Sequence, residues 1–156
     1  RPVSAFGNTF TYLGNKPSKK IRSNWAGWDY KSYTVEDLAV GQIRFENGAI
    51  LTIEASFAAH IKQDLWNFQV MGEKAGATWE PLEIFHDDIG HMLNTTPAWV
   101  GSDGFQENFQ KKMRNFVDHV LYDKETTSPA EHGLMVQKML DGIYEAAEAG
   151  REVEIK

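Results

Sequence analysis

The chain has 156 residues, a formal net charge of −6 and a sequence pI near 5.3. Its apolar fraction of 42% beside 24% charged residues is typical of a globular domain with a real core, and it argues against disorder. The acidic balance argues against nucleic acid or an anionic membrane as a main partner, and the lack of cysteine excludes disulfides and fits a cytoplasmic location.

The first stretch with a clear pattern alternates apolar and polar residues and predicts a strand over Pro2–Leu13. The loop-like segment that follows carries Trp25 and Trp28 among lysines and asparagines. Together with Tyr30 and Tyr33, these rings could stack on a sugar-like ligand or fold back over the sheet edge. The residues alone leave both interpretations open.

A β-hairpin is predicted over Val35–Phe57, where two alternating runs flank Asn47-Gly48. A two-residue loop would put a charged side chain among the apolar ones. A three-residue loop over Glu46–Gly48 instead pairs Phe45 with Ala49 and collects the apolar side chains on one face. We therefore predict the three-residue loop, with its glycine in the left-handed conformation.

The opposite face of this hairpin is half apolar and carries Gln42, Arg44, Thr52 and Glu54. Such a face is too apolar for a fully solvated surface and too polar for a core. We expect the chain to cover the first face and to leave this one for docking, most simply onto a second copy of itself.

Farther along the chain, alternation predicts short strands over Leu65–Met71, Ala77–Glu80 and Leu82–Phe85, and a closing strand around Val153. The stretch His86–Asp103 lacks a clear period and is predicted to be an irregular connection.

Two helices are predicted near the end of the chain. The first begins at Phe105, where the period changes to 3.6 residues, and ends near Asp123. The second begins with the capping box Ser128–Glu131 and ends at Gly150. The elements together predict an α+β fold: an open-faced, mostly antiparallel sheet with an αα-hairpin packed on one face.

Few residues point to chemistry. No two glycines have the G-x-G spacing of a dinucleotide-binding turn. His86, Asp87, Asp88 and His91 could ligate a divalent metal or form a solvated acidic loop, and because their spacing matches no named site we predict no metal.

Two further groups of polar residues have more than one interpretation. Asp37 falls on the apolar face of its strand, so it either accepts backbone hydrogen bonds or belongs to a site. His60, Lys62 and Asp64 follow a strand end, where loops often carry function.

Three stretches resemble one known family. They are VEDLAVGQIRFENGAILTIEASFA, FQVMGEKAGATW and the tail NFVDHVLYDKETTSPAEHGLMVQKMLDGIYEAAEAGREVEI. In this order they are similar to the C-terminal domain of the Gfo/Idh/MocA (glucose-fructose oxidoreductase, inositol dehydrogenase, rhizopine catabolism) oxidoreductases, over Pro2–Ile155.

The resemblance implies an NAD(P)-dependent enzyme that acts on a sugar, inositol or related polyol. It also implies that residues 1–156 form the C-terminal domain, of the glyceraldehyde-3-phosphate dehydrogenase-like type, with the N-terminal Rossmann domain outside this chain. The open sheet face would make the dimer contact. The family's glycine-rich fingerprint, catalytic lysine and D-x-x-x-H-type segment have no counterpart here, so we assign no catalytic or cofactor-binding residue and expect the chain alone to be inactive.

The family also implies where substrate binds. By position, the substrate-cleft candidates are Trp25, Trp28, Tyr30, His60, Lys62 and Asp64. The tyrosine-rich run of inositol dehydrogenases is replaced here by Lys62–Trp66, which disfavours inositol itself. The alternative is a stand-alone, non-enzymatic α+β scaffold or carbohydrate-binding module that uses Trp25 and Trp28.

Overall fold

Eight strands and two helices make up the described part of the chain. The structure, a computed structural model, describes residues 1–16, 29–98 and 105–156. The elements are β1 (Pro2–Phe10), β2 (Leu38–Phe45), β3 (Ile50–Ser56), β4 (Gln69–Met71), β5 (Ala75–Thr78), β6 (Glu83–Asp88), β7 (His91–Asn94), α1 (Phe105–Tyr122), α2 (Ala130–Ala149) and β8 (Val153–Glu154). They divide into two compact units, Arg1–His60 with Thr127–Lys156, and Ile61–Thr126.

The first unit contains an antiparallel sheet in the order β3-β2-β1-β8. Its central hairpin has the predicted register, since Ile43 lies opposite Leu51 and the loop closes with a 2.9 Å hydrogen bond from the Phe45 N–H to the Ala49 carbonyl. Gly48 has a φ of 84°, as the three-residue loop requires. Both predictions are confirmed.

Helix α2 packs on one face of this sheet at a pair of glycines. Gly7 of β1 lies directly opposite Gly41 of β2. A Cβ atom on either would come within 2.8 Å of Ile143, so the missing side chains let this helix residue sit directly on the backbone. Ile143 forms the core together with Ala5 and Ile43.

The second unit contains a separate antiparallel sheet in the order β4-β5-β6-β7. The predicted strand over Leu65–Met71 is too long, because only Gln69–Met71 pairs with a neighbour. Trp79 and Phe68 continue that pair with a 3.1 Å hydrogen bond and stacked rings whose centroids lie 5.5 Å apart.

The prediction of an irregular connection over His86–Asp103 is wrong at its start. Asp88 pairs with His91, and β6 and β7 form a hairpin with a two-residue turn at Ile89 and Gly90. Both turn residues have positive φ, 52° and 77°, as a type I′ turn requires. The turn was missed because a β-branched residue rarely takes that conformation.

Helix α1 has the bounds predicted from its period, and α2 begins one residue later than the capping box implies. The N-cap residue is Pro129, which has an extended ψ of 154° and makes no side-chain cap hydrogen bond. Gly150 ends α2 in the left-handed conformation, with a φ of 63°.

The α+β fold class with antiparallel strands is confirmed. The sequence pattern predicted one sheet, whereas the described strands form two, each with four members. Of the two helices, α2 covers the first sheet, and α1 belongs to the second unit.

Candidate functional site

The face of the first sheet opposite α2 is its most distinctive surface, and we call it the open face. It combines alternate residues of β1, β2 and β3, because every second side chain of a strand points the same way. Its large apolar side chains are substantially exposed: Phe6 47%, Phe10 51%, Val40 39% and Ile50 61%. Because exposed apolar side chains are grouped on one sheet face, this face is a candidate interaction surface.

The four residues predicted for docking all lie on this open face. Gln42 is the direct cross-strand partner of Thr52, while Arg44 and Glu54 lie on the same face of β2 and β3. All four are exposed. The register therefore brings them together.

A shallow groove of about 190 Å³ crosses the open face between β1, β2 and the turn before β8. At one side the guanidinium Nη2 of Arg44 lies 3.4 Å from a carboxylate oxygen of Glu152. The same oxygen accepts a 2.5 Å hydrogen bond from the Ser4 hydroxyl. The groove thus offers an apolar floor, formed by Phe6 and Ile50, beside fixed polar groups.

At the other end of the same sheet, Asp37 is buried, with 3% of its surface exposed. One carboxylate oxygen accepts three backbone N–H groups, from Tyr12 at 2.8 Å, Leu13 at 2.6 Å and Gly14 at 2.8 Å. Burial alone would raise the pKa of Asp37, but the hydrogen bonds to the ionised form outweigh it and lower the pKa below its ordinary value. Of the two interpretations of Asp37, the structure shows a backbone acceptor.

This bonding also explains why β1 stops at Phe10 rather than at the predicted Leu13. The amides that would continue the ladder turn onto the Asp37 carboxylate.

Two tyrosines adjoin Asp37. The Tyr33 hydroxyl donates to the backbone carbonyl of Glu36 at 3.1 Å, and the Tyr144 hydroxyl donates to the Glu36 carboxylate at 2.5 Å. The hydrogen bond to Glu36, with burial, raises the pKa of Tyr144, and burial with the nearby Asp37 and Glu36 charges raises the pKa of Tyr33. Sequence reasoning missed the link to Tyr144, because 108 positions separate it from Glu36 and no local pattern joins them.

The substrate-cleft candidates are distributed along the chain. Trp25 and Trp28 lie outside the described residues. Tyr30 is half-buried and His60 is exposed in the first unit, whereas Lys62 and Asp64 are exposed in the second.

The acidic stretch of the second unit does not assemble a metal site. The β6–β7 register puts Asp87 on the opposite face from His86, Asp88 and His91. The His86 ring lies 2.8 Å from the Thr95 hydroxyl. Across residues 1–16, 29–98 and 105–156, no three or more histidine and acidic side chains are grouped so as to hold a metal ion.

By its fold, the chain is an α+β domain whose first sheet is covered by α2 on one face and carries exposed side chains on the other. Within the described residues, no helix is long and apolar enough to cross a membrane. Residues 8–155 match the profile of the oxidoreductase family's C-terminal alpha/beta domain. The chain belongs to the Gfo/Idh/MocA oxidoreductase family, as that domain.

Known relatives agree with this assignment. The chain is 33% identical over 153 residues to D-glucoside 3-dehydrogenase from Escherichia coli strain K12, covering 97% of this chain and 42% of that protein. An oxidoreductase domain protein from Kribbella flavida has the same fold, with a TM-score of 0.75 at 19% identity over 100% of this chain and 46% of its own. Levoglucosan dehydrogenase in complex with NADH has a TM-score of 0.74 at 17% identity, over 100% and 45%. The chain therefore spans less than half the length of each of these proteins.

Proposed function

We propose that the whole protein is an NAD(P)-dependent oxidoreductase that acts on a hydroxyl or carbonyl group of a sugar or related polyol, and that a glucoside is the first substrate to test. The family match over residues 8–155 carries this proposal. The likeness to D-glucoside 3-dehydrogenase supports the substrate class, and the fold shared with an NADH-bound dehydrogenase supports the cofactor. Reduction of NAD(P)⁺ by the whole protein on adding an alkyl glucoside tests it.

This chain would supply the substrate side of that enzyme and its oligomer contact. A nicotinamide cofactor, when bound to the whole protein, would accept or donate the hydride. We assign neither its site nor the acid/base group to this chain, because the family's sequence motifs for them have no counterpart here. The isolated chain should therefore lack hydride-transfer activity.

The cleft candidates fit a sugar-like substrate by their chemistry. Tyr30, with Trp25 and Trp28, offers aromatic faces of the kind that stack on sugar rings. His60, Lys62 and Asp64 offer donors and acceptors for hydroxyl groups. Each of them stays a candidate for contact with the substrate.

We further propose that two copies associate through the open face. Its exposed apolar side chains Phe6, Phe10 and Ile50 would be buried, and Gln42 and Thr52 would hydrogen-bond within the contact. A two-fold contact brings the same patch together from both copies, so one substitution acts twice.

Reversing the charge of Arg44 tests this interface. Arg44→Glu would add a fourth acid to a face that already carries Glu54, Glu152 and Glu154. Repulsion between the two identical faces should weaken the dimer by about tenfold or more. Sedimentation equilibrium at micromolar concentration measures this.

Lys138→Glu is the matched control. It makes the same charge reversal on an exposed position of α2 and should leave the dissociation constant within about twofold of the wild type. A wild-type chain that stays monomeric, or an Arg44→Glu dimer as tight as the wild type, would contradict the interface.

A further inference from the structure

Asp37 lies outside the residues assigned above to substrate or dimer contact, yet it is the buried charged residue of the described core. Its carboxylate holds the three consecutive amides of Tyr12, Leu13 and Gly14 at 2.6–2.8 Å. A carboxylate oxygen that accepts three backbone hydrogen bonds is a rigid anchor, because all three bonds would have to break for the backbone to move.

The anchor extends from Gly14 to the Tyr33 ring. An added Cβ atom at Gly14 would lie 2.2 Å from two ring atoms of Tyr33, so the ring packs directly on the Gly14 backbone. The hydroxyl at this same end of the ring donates a 3.1 Å hydrogen bond to the Glu36 carbonyl. Phe57 packs near the same ring, with centroids 6.0 Å apart.

The residues just before Tyr33 in the chain form a hydrogen-bonded turn. The Asp29 side chain accepts the Lys31 N–H at 3.0 Å, and the Asp29 carbonyl accepts the Ser32 N–H at 3.2 Å. Tyr30 lies inside this turn and is half-buried. Only Lys31 and Ser32 separate Tyr30 from Tyr33, so a shift of the Tyr33 ring on Gly14 would reach Tyr30 through this short turn.

We propose that Asp37 is a positioning residue that fixes, through Gly14 and the Tyr33 ring, the Asp29–Ser32 turn that carries Tyr30. We do not expect Asp37 to touch substrate, since only 3% of its surface is exposed. Its role is to fix the position of Tyr30, whose ring contacts the substrate in the proposed function. This role rests on the proposed function, in which Tyr30 contacts the sugar.

The structural part of the proposal is tested on this chain by amide hydrogen exchange. Asp37→Asn keeps the shape of the side chain but replaces the charge, and it should speed exchange about tenfold both at Tyr12–Gly14 and at Asp29–Tyr33. Tyr33→Phe removes only the hydroxyl bond and should speed exchange at Asp29–Tyr33 alone. Faster exchange confined to Tyr12–Gly14 in Asp37→Asn, with Tyr33→Phe unchanged, would overturn the link.

The functional part is tested by steady-state kinetics of the whole protein with an alkyl glucoside and NAD(P)⁺. Asp37→Asn should raise KM for the glucoside about tenfold, with KM for NAD(P)⁺ unchanged and a smaller effect on kcat. Ile143→Val, which weakens the core away from this turn, is the control and should leave both KM values unchanged. An Asp37→Asn enzyme with wild-type KM for the glucoside would overturn the positioning role.

The exchange and kinetic measurements distinguish failure of the proposed function from failure of the proposed role of Asp37. A wild-type protein without glucoside activity contradicts the proposed function, while the exchange measurements still decide whether Asp37 fixes the turn. If Asp37→Asn does not fold, Tyr33→Phe carries both measurements, with a smaller rise in KM expected and an unchanged KM counting against the proposal.

Discussion

At the scale of single residues, Asp37 shows how a buried charge is made tolerable. Its carboxylate is 3% exposed and has three backbone donors, which replace the water that it loses on folding. The same bonds lower the pKa of Asp37 in the folded chain, so its carboxylate binds a proton less readily when the chain is folded than when it is unfolded.

This lowered pKa predicts how stability depends on pH. Because the pKa is lower in the folded chain than in the unfolded one, Asp37 contributes fully to stability above the unfolded value of about 3.9, and the contribution is lost as the pH falls through the folded value. The free energy of unfolding from urea titrations should fall below about pH 4, and less steeply in Asp37→Asn. Glu148→Gln on α2 controls for the loss of one acid. Equal acid slopes in the wild type and Asp37→Asn would contradict the assignment.

Residue-level prediction from sequence succeeded where the reason was local. The apolar alternation of β2 put Asp37 among buried positions, which required a partner, and the structure supplies one. The hydrogen bond from Tyr144 to Glu36 joins distant parts of the chain and leaves no local signal. The residue types and positions of Tyr30 and Lys62 made them candidates, but only the family resemblance connected them to a substrate cleft, because no local pattern does so.

At the scale of elements, the β2–β3 hairpin was predictable in full. A slip of one residue would move every side chain to the other face, so the apolar stripe admitted only one loop length. The β6–β7 hairpin was not predictable in this way, since its turn uses Ile89 where asparagine or glycine is usual. A turn is predicted from the residues within it, so a residue that is unusual for the turn type prevents the prediction.

The close contact of α2 with the first sheet predicts a specific coupling. Gly41→Ala places a methyl group 2.8–3.2 Å from three side-chain carbons of Ile143 and should destabilise the chain by about 1 to 3 kcal/mol. Ile143→Ala removes those carbons and should itself cost about 2 to 5 kcal/mol. Because the added methyl group then fills part of the space, the double variant should cost about 1 kcal/mol or more less than the sum. Urea unfolding of the four proteins measures the coupling, and strictly additive costs would show that Gly41 is not a packing position.

At the scale of the whole molecule, the fold class could be predicted from the spacing of apolar residues, which distinguishes strands from helices. The assignment of strands to sheets could not be predicted in this way. The alternation of apolar and polar residues indicates which face of a strand is buried, and a short turn indicates which strands can pair as neighbours. Neither indicates where one sheet ends, and the two four-stranded sheets became visible only in the structure. Pairing of β1 with β8, about 150 residues apart, is likewise beyond any local pattern.

The family assignment is also a property of the whole chain. The match extends over residues 8–155, whereas no single short motif would establish it. The chain spans 42% of the E. coli relative and 45–46% of the two structural relatives, and we propose that it supplies one part of a longer oxidoreductase. In that proposal the open face makes the contact between two copies, the Tyr30 turn contacts the substrate, and the whole protein carries out the oxidoreductase chemistry.

The measurement that tests it most directly is a dehydrogenase assay of the purified whole protein with NAD⁺ and with NADP⁺, given an alkyl glucoside, free glucose and inositol in turn. We predict reduction of one of the two cofactors with the glucoside at a higher kcat/KM than with inositol, and no reduction by the isolated 156-residue chain. Failure of the whole protein to reduce either cofactor with any sugar or polyol, while the isolated chain binds the glucoside on its own, would contradict the account and favour a carbohydrate-binding module.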